Sequence, residues 1–380
     1  MTDNAVPSSR FSPLHQAHLN AGASFTDFAG WQMPVRYNSE LEEHHAVRNA
    51  AGLFDLSHMA EVIVTGPQSA AFLDYALCGK ISAIAIGQAK YSLLLSDDGG
   101  IIDDVIVYRT HENRYVVVAN AGNRFQAAGA LSTRSANFDT TVVDESDQVA
   151  LVAVQGPASR AILEALPGLE LPTPLADLKY YWSILGTYEG GEVLVARTGY
   201  TGEDGFELYV LTSQAESLWN NLMTAGAGHD LVPAGLASRD TLRLEAGMPL
   251  YGHELGTDIL PAQAGLGRVV ALKKEGDFIG RAASEAGPPE GARVLVGLVS
   301  EGRRAGRADY PIFAGEAEDD AEVGIVTSGA LSPTLGHPIA LAYVDPQYTE
   351  VGTELFIDVR GKRIPASVTA LPFYKRKASE

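Results

Sequence analysis

The stretch KYSLLLSDDGGIIDDVIVY, residues 90–108, decides the fold class. Two runs rich in Leu, Ile and Val flank a turn of two aspartates and two glycines, which is typical of antiparallel strands joined by a short loop. The next stretch, RTHENRYVVVANAG, adds a third strand after another polar turn. We therefore expect an antiparallel meander, and such a sheet combined with separate helices indicates an α+β protein.

Asp103 and Asp104 open the second strand of this meander. Adjacent side chains of a strand point to opposite faces, so only one of the two acids can enter a given pocket. The apolar residues that follow indicate burial, and a carboxylate at the edge of a buried strand needs a ligand or a hydrogen-bond donor. A plain hairpin loop with solvated acids is the alternative.

Helices are predicted outside the meander. Ser39 and Glu42 have the spacing of a capping box ahead of a helix at about Leu41–Ala51. Two further helices follow Gly-Pro pairs in GPQSAAFLDYALC and GPASRAILEAL, each after a strand, which hints at an internal repeat. SQAESLWNNLMTAG and ASRDTLRLEAG supply two more. A Gly/Pro-rich linker near residues 284–291 precedes a strand-rich C-terminal part.

The overall composition limits the classes of partner. The chain has 380 residues, 46% of them hydrophobic, which is enough for a large core. Its net charge of −19 repels nucleic acid and anionic lipid, so we expect neither as a partner. The sequence has neither an apolar run of membrane-spanning length nor an N-terminal signal core, so a cytoplasmic protein is expected. The basic cluster Arg303, Arg304 and Arg307 is interpreted as a solvated loop.

Several kinds of chemistry lack their sequence signatures. No phosphate-binding loop, G-x-G-x-x-G, H-E-x-x-H or G-x-S-x-G motif occurs. The single cysteine, Cys78, is expected to be a core thiol. His44 and His45 are adjacent, so their rings diverge from one helix face and do not suggest a metal site. We expect no metal.

Two glycine- and arginine-containing segments are candidate ligand sites. RTGYTGEDGFELYV (197–210) places Tyr200 in a glycine-rich loop and Glu207 at the start of a strand, although a β-bulge loop without function would use the same glycines. In GLASRDTLRLEAG (235–247), Arg239 and Arg243 lie one helical turn apart. Arg243 and Glu245 are compatible with surface charges or with interdomain ion pairs.

Taken together, these motifs resemble one family. FTDFAGWQMPVRY, GLFDLSHM, YSLLLSDDGGIIDDVIVY, VVVANAGN, LVAVQGPAS, RTGYTGEDGFELYV, GLASRDTLRLEAGMPLYGHEL, FIGRAA and VGIVTSGALSPTLGHPIALAYV occur in the order found in the glycine cleavage system T-proteins, the aminomethyltransferases. The resemblance extends from about Pro13 to Tyr374. It implies a three-domain cloverleaf with folate in a central channel and a β-rich, barrel-like C-terminal domain.

We divide the chain on this basis into four parts. Residues 1–51 with 150–250 form a discontinuous first α/β domain, and residues 52–149 form a second α+β domain that carries the Asp-Asp pair. Residues 251–288 connect these to a β-rich C-terminal domain at 289–380.

The resemblance also implies residue roles. Asp104, the second acid of the pair, is the expected catalytic residue. Asn120 is expected to anchor the pterin through its amide, Glu207 to bind the pterin ring and Arg239 to contact the ligand. Walls and further contacts are expected from a group of mostly aromatic residues: Tyr91, Ile106, Tyr108, Tyr200 and one of Tyr180 and Tyr181, of which we choose Tyr180.

The implied reaction moves the methylene group of an S-aminomethyldihydrolipoyl arm, presented by H-protein, to tetrahydrofolate. Ammonia and 5,10-methylenetetrahydrofolate are released. We rank charge stabilisation and orientation by Asp104 above general-base action, because a carboxylate near its ordinary pKa is a poor base for an amine. Aligning two bound reactants can itself remove roughly 7 to 11 kcal/mol of barrier, so no protein nucleophile is expected.

Two features depart from the family pattern. Gln263, in Pro261-Ala262-Gln263, and Arg268 replace the usual residues after YGHEL, and the C-terminal tail LPFYKRKASE is short. Two alternatives stay open: a tetrahydrofolate-dependent demethylase for methylated amines or sulfonium compounds, and a non-catalytic folate-binding protein. The Lys-Gly-Cys-Tyr-x-Gly-Gln-Glu motif of the non-catalytic branch is missing.

Overall fold

The computed structural model describes residues 9–317 and 319–376. Residues 1–8 of the first predicted domain and residues 377–380 of the short tail lie outside the described residues. The structure combines three β-sheets and a closed barrel with peripheral helices. The predicted α+β class and the β-rich, barrel-like C-terminal region are therefore confirmed.

The strands in chain order are β1 (Arg10–Phe11), β2 (Ser24–Phe28), β3 (Trp31–Arg36), β4 (Ala51–Asp55), β5 (Ala60–Thr65), β6 (Ala89–Leu95), β7 (Ile101–His111), β8 (Arg114–Ala119), β9 (Thr141–Asp144), β10 (Val149–Gln155), β11 (Leu169–Glu170), β12 (Ser183–Tyr188), β13 (Gly191–Ala196), β14 (Gly205–Leu211), β15 (Leu231–Pro233), β16 (Val294–Ser300), β17 (Pro311–Phe313), β18 (Glu322–Leu331), β19 (Pro338–Val344), β20 (Glu354–Asp358) and β21 (Arg363–Thr369). The helices are α1 (His15–Asn20), α2 (Glu40–Asn49), α3 (Ser69–Ala76), α4 (Arg124–Arg134), α5 (Ser159–Glu164), α6 (Ala215–Gly226), α7 (Leu236–Glu245) and α8 (Arg281–Ala286).

The predicted meander is the core of a five-stranded sheet with the order β6-β7-β8-β5-β9. Its neighbours pair antiparallel, with Leu93 opposite Asp104 and Leu94 opposite Asp103. A seven-stranded sheet has the order β11-β12-β13-β14-β10-β4-β15, and a small sheet β1-β3-β2 lies near the N-terminus. Strands β16 to β21 close into the C-terminal barrel.

The two large sheets pack face to face. On one side of the seven-stranded sheet, apolar side chains pack against helices α5 and α6. On its other side, Leu151, Leu194 and Tyr209 form a common cluster with Ile63 and Val118 of the five-stranded sheet. Strand β14 is therefore covered on both faces, which brings its polar residues between the sheets.

The helix predictions are confirmed with small shifts at the ends. Helix α2 begins at Glu40, and the Ser39 hydroxyl accepts a hydrogen bond from the Glu42 amide as the capping box requires. The predicted linker at 284–291 starts as helix α8, which continues to Ala286. The domain boundaries predicted from the sequence stay a prediction.

The two Gly-Pro turns share one backbone conformation. Gly66 and Gly156 have φ values of 128° and 130°. A Cβ at Gly66 would lie 2.6 Å from the Asp139 carbonyl oxygen, and one at Gly156 would lie 2.5 Å from that of Ala50. Both turns thus need glycine, which supports the repeat of strand, Gly-Pro turn and helix that the sequence suggested.

The glycine turn before the two acids packs closely against a later segment of the chain. A Cβ at Gly100 would lie 1.9 Å from the carbonyl oxygen of Thr257, so only glycine fits there. The adjacent Ile101 amide donates to the carbonyl oxygens of Gly256 and Ile259, at 3.1 and 3.2 Å. The segment after helix α7 therefore lies directly against the start of strand β7 and fixes the end that carries the two acids.

Candidate functional site

A cavity of about 830 Å³ lies between the two large sheets and the barrel. Cavities of this size hold small organic ligands. Strand β7 contributes Asp104 and Ile106, strand β14 contributes Glu207 and Tyr209, and helix α7 contributes Arg239. Strand β18 of the barrel closes a further side. The cavity therefore collects residues that lie far apart in the sequence.

Asp104 lies on the wall of this cavity, whereas Asp103 is completely buried behind it. The Tyr91 hydroxyl donates to Asp104 Oδ2 at 3.0 Å. The Asn120 side-chain amide donates to Asp104 Oδ1 at 2.7 Å. Both donors also line the cavity, so the carboxylate is held in place by two groups that can touch the same ligand.

Both acids have perturbed acidity. Burial raises the pKa of Asp104, against the lowering effect of its hydrogen bonds from Tyr91 and Asn120. Burial and the neighbouring Asp104 charge raise the pKa of Asp103 to about 7. The expectation that Asp104 has an ordinary pKa is therefore wrong, because little water reaches a carboxylate enclosed by two sheets.

Glu207 lies on a second wall and is held by hydroxyl groups. Thr198 donates to Glu207 Oε2 at 2.5 Å, and Tyr108 donates to the same oxygen at 3.2 Å. The Tyr108 ring is fully buried behind Glu207 and does not reach the cavity. The structure therefore gives Tyr108 a supporting position, and the expected wall position of Tyr108 is not found.

Arg239 carries a positive charge into the cavity. Its guanidinium carbon lies 5.0 Å from the centre of the Tyr200 ring, and Tyr200 also lines the cavity. Its Nη1 atom is buried and, among the described residues, has no hydrogen-bond partner. Burial lowers the pKa of Arg239, with the Glu207 charge opposing, but an arginine stays protonated at working pH. An unsatisfied guanidinium N–H is a ready donor for an oxygen atom of a ligand.

The two adjacent tyrosines of the 180 region take different positions. Tyr181 lines the cavity. Tyr180, which we chose from the sequence, is 46% exposed and lies beside the Arg376 guanidinium instead. The structure thus places Tyr181, and not Tyr180, where a ligand can contact it.

His58 is a wall residue that was not predicted from the sequence, although it stands in the motif GLFDLSHM. Its side chain is 3% exposed and packs edge-on against the Phe28 ring. Burial lowers the pKa of His58 to about 4, with Arg239 acting in the same direction and Asp55 opposing. The imidazole is therefore neutral, and its Nδ1 atom is buried without a hydrogen-bond partner among the described residues.

Arg243, one turn after Arg239, also lines the cavity but is anchored by the protein. It donates to Glu254 Oε2 at 3.1 Å and to the Ser328 hydroxyl of the barrel at 2.8 Å. Only 2% of the residue is exposed. The surface-charge interpretation is wrong for Arg243, because the side chain is buried; its contact with the barrel is the hydrogen bond to Ser328, and an ion pair between domains stays a prediction.

A second buried ion cluster fixes the end of helix α7. Glu245 Oε2 accepts from Arg48 Nη2 at 2.7 Å and from the Thr334 hydroxyl at 2.8 Å. The Ser332 hydroxyl donates to the other oxygen at 2.5 Å. Arg48 also pairs with Glu203 at 2.9 Å. The cluster thus ties helix α2, helix α7, the loop before β14 and the barrel together.

The two residues that depart from the family pattern lie elsewhere. The Gln263 side chain donates to the Arg293 carbonyl oxygen at 3.1 Å, just before the barrel begins, and is absent from the cavity wall. Arg268 is exposed. In the basic cluster, Arg303, Arg304 and Arg307 are all exposed, as the solvated-loop interpretation expects, and Arg307 also lines the cavity.

Neither a membrane-spanning helix nor a metal-binding cluster occurs among the described residues. No helix in the described part of the chain is long and apolar enough to cross a membrane. Between residues 9 and 376, leaving out residue 318, no group of three or more His, Cys, Asp or Glu side chains could hold a metal ion. The expectation that the chain needs no metal stays a prediction. Cys78 is buried, as predicted for a core thiol.

Comparison with known proteins agrees with the geometry. Residues 14–274 match the family described as the GCVT N-terminal domain, and residues 293–375 match the glycine cleavage T-protein C-terminal barrel domain. An aminomethyltransferase of Cutibacterium acnes is 59% identical over 97% of this chain and 99% of its own length. One of Streptomyces avermitilis is 54% identical over 99% of this chain and its full length.

A solved structure shows the same fold. The crystal structure of the glycine cleavage system aminomethyltransferase T from Bartonella henselae superposes with a TM-score of 0.89 at 36% identity, covering 97% of this chain and 99% of that one. Together with this shared fold, the relatives named aminomethyltransferases define a group-transfer enzyme. The chain belongs to the glycine cleavage T-protein family and is an aminomethyltransferase.

Proposed function

We propose that this chain transfers the methylene group of an S-aminomethyldihydrolipoyl arm, carried by H-protein, to tetrahydrofolate, with release of ammonia and 5,10-methylenetetrahydrofolate. The observation that carries the proposal is the position of Asp104, which faces a cavity that also contains Glu207 and an unsatisfied Arg239. Action in the cytoplasm, without nucleic acid or membrane partners, stays part of the same prediction.

The cavity residues fit a reduced pterin with an acidic tail. Tyr91, Tyr181 and Tyr200 supply flat apolar surfaces for a ring system. Asn120 and Glu207 supply an amide and a carboxylate for the amino and carbonyl groups at a pterin edge. The orphan Nη1 of Arg239 is suited to an oxygen of the ligand. Ile106 adds an apolar contact.

Asp104 stabilises the positive charge that develops on the transferred carbon. Tetrahydrofolate supplies the amine nitrogen that accepts the one-carbon unit. Tyr91 and Asn120 hold the Asp104 carboxylate at a fixed place in the cavity wall, so its negative charge is already in position to stabilise an approaching positive carbon. The raised pKa of Asp104 also makes its carboxylate a better proton acceptor than an exposed aspartate.

The reaction itself tests the proposal. Purified protein is mixed with H-protein bearing the aminomethyl group, and ammonia and methylenetetrahydrofolate are measured with and without tetrahydrofolate. We expect both products to form at equal rates, and only when both substrates are present. Products formed from a methylated amine or a sulfonium compound without H-protein would overturn the proposal in favour of the demethylase alternative.

Arg239→Ala is expected to weaken folate binding. The variant removes a charged donor from the cavity, and a hydrogen bond to a charged group contributes about 1.5–3 kcal/mol, so Kd should rise about tenfold to a hundredfold. Calorimetric titration with tetrahydrofolate measures this. Arg268→Ala is the matched control, because Arg268 is exposed and lies outside the cavity wall. Unchanged Kd values for folate and for H-protein in the Arg239 variant would remove Arg239 from the site.

A further inference from the structure

Asp103 is buried and accepts hydrogen bonds on both carboxylate oxygens, although it does not line the cavity. Its Oδ1 atom accepts from the side-chain amides of Asn120 and Asn123, at 2.7 and 2.8 Å. Its Oδ2 atom accepts from the backbone amide of Asn120 at 2.9 Å. Three donors thus converge on a carboxylate that no ligand in the cavity can touch.

Asn120 connects this buried acid with the cavity. Its Nδ2 atom donates both to Asp103 Oδ1 and to Asp104 Oδ1, each at 2.7 Å. Both amide hydrogens are therefore used by the acid pair. The Oδ1 atom of Asn120 accepts no hydrogen bond from the described residues, and Asn120 lines the cavity, so this oxygen is left for a ligand.

We propose that Asp103 is a positioning residue for the transfer reaction, which acts by fixing the orientation of the Asn120 amide. Held in this way, Asn120 presents its NH2 group to Asp104 and keeps its oxygen for the substrate. The inference rests on the proposed function, because Asp103 orients Asn120 for the Asp104 carboxylate, and Asp104 acts in the proposed reaction. Asp103 itself contacts neither substrate nor reacting atoms.

An aspartate is needed here for a chemical reason. Asparagine has nearly the same shape, but one of its two terminal atoms is a donor. If that donor faced the side chains of Asn120 and Asn123, two NH2 groups would meet it, and Asn120 would have to turn its oxygen toward position 103. If it faced the Asn120 backbone instead, two N–H donors would oppose each other. The first arrangement turns the Asn120 amide around, and the second pushes away the Asn120 backbone from which that side chain extends.

A double-mutant cycle tests the proposal. We compare kcat of the wild type, Asp103→Asn, Asn120→Ala and the double variant, using H-protein and tetrahydrofolate. Asp103→Asn should lower kcat about tenfold or more in the wild-type background, with KM for H-protein unchanged. In the Asn120→Ala background the same substitution should change kcat by less than about twofold. Asp97→Asn is the matched control, because Asp97 lies exposed in the same hairpin turn.

A spectroscopic measurement gives a second result that does not depend on activity. With 15N-labelled asparagine, the side-chain NH2 signals of Asn120 are those missing from the Asn120→Ala spectrum. We expect these signals to move in Asp103→Asn and to stay in place in Asp97→Asn.

The outcomes separate the two proposals. Unmoved Asn120 signals in Asp103→Asn, or equal losses of kcat in both backgrounds, would overturn the positioning role. Wild-type protein that forms no methylenetetrahydrofolate would overturn the proposed function instead, and the NH2 signals would still show whether Asp103 fixes Asn120.

Discussion

Replacing Asp104 with alanine will lower kcat by about 10²- to 10³-fold, while the Kd for tetrahydrofolate changes far less. The carboxylate is held against the cavity by Tyr91 and Asn120, so its charge is already in place when positive charge develops in the substrate. Such preorganised groups act mainly on the transition state. Steady-state rates with H-protein, together with calorimetric folate titration, give the two quantities separately.

Asp104→Asn is the companion variant because it keeps the size of the side chain and removes only the charge. It should bind folate and still lose most of the turnover. An equal loss of kcat and of folate affinity in both variants would show that Asp104 only binds the ligand. A larger effect at Asp103 than at Asp104 would reverse our assignment of which acid faces the substrate.

The pH dependence follows from the raised pKa of Asp104. If the ionised carboxylate is the active form, the rate falls as the pH drops through that pKa, which lies above the ordinary aspartate range. In the pH–rate profile, the fall on the acid side should therefore lie at higher pH than expected for an exposed aspartate. The residual activity of Asp104→Ala should not show this fall.

Glu245→Ala will have the largest expected effect on stability. Glu245 is completely buried and accepts hydrogen bonds from Arg48, Ser332 and Thr334. Removing one partner of a buried ion pair costs about 3–5 kcal/mol, and we expect the lower end of that range because Glu203 still pairs with Arg48. The free energy of unfolding, measured by urea denaturation, should fall by this amount. Glu164→Ala is the control, since Glu164 pairs with Arg160 on the surface and such pairs contribute about 0–1 kcal/mol.

The same residue predicts an acid dependence of stability. Burial alone would raise the pKa of Glu245, but its hydrogen bonds with His44, Ser332 and Arg48 prevail and lower it from 4.5 to about 2. A depressed pKa contributes stability that is present above pH 4.5 and is lost as the pH falls toward 2. The difference in unfolding free energy between wild type and Glu245→Ala should therefore shrink over that range. A constant difference would contradict the role of the ionised carboxylate.

Local sequence signals predicted much of the fold because they depend on neighbouring residues. The capping spacing of Ser39 and Glu42 and the turn at 97–100 concern atoms a few residues apart. The opposite facing of Asp103 and Asp104 follows from strand periodicity.

The missed features depend on contacts that no local pattern contains. Tyr181 has a φ of 62°, and in such an irregular loop no periodicity tells which of two adjacent tyrosines faces the ligand. Arg239 and Arg243 share one helix, but Arg243 pairs with Glu254 and bonds to Ser328 of the barrel, whereas the Nη1 atom of Arg239 has no hydrogen-bond partner among the described residues. Only the assembled fold separates their roles.

The covering of the glycine turn by residues 256–259 also bears on biosynthesis. The strand that carries the acids starts at Ile101, yet its first amide is satisfied by carbonyl groups more than 150 positions later. A ribosome must therefore translate and release this later segment before the acid-bearing strand is anchored. A nascent chain that stops near residue 250 therefore has both carboxylates but lacks the segment that anchors the first amide of their strand.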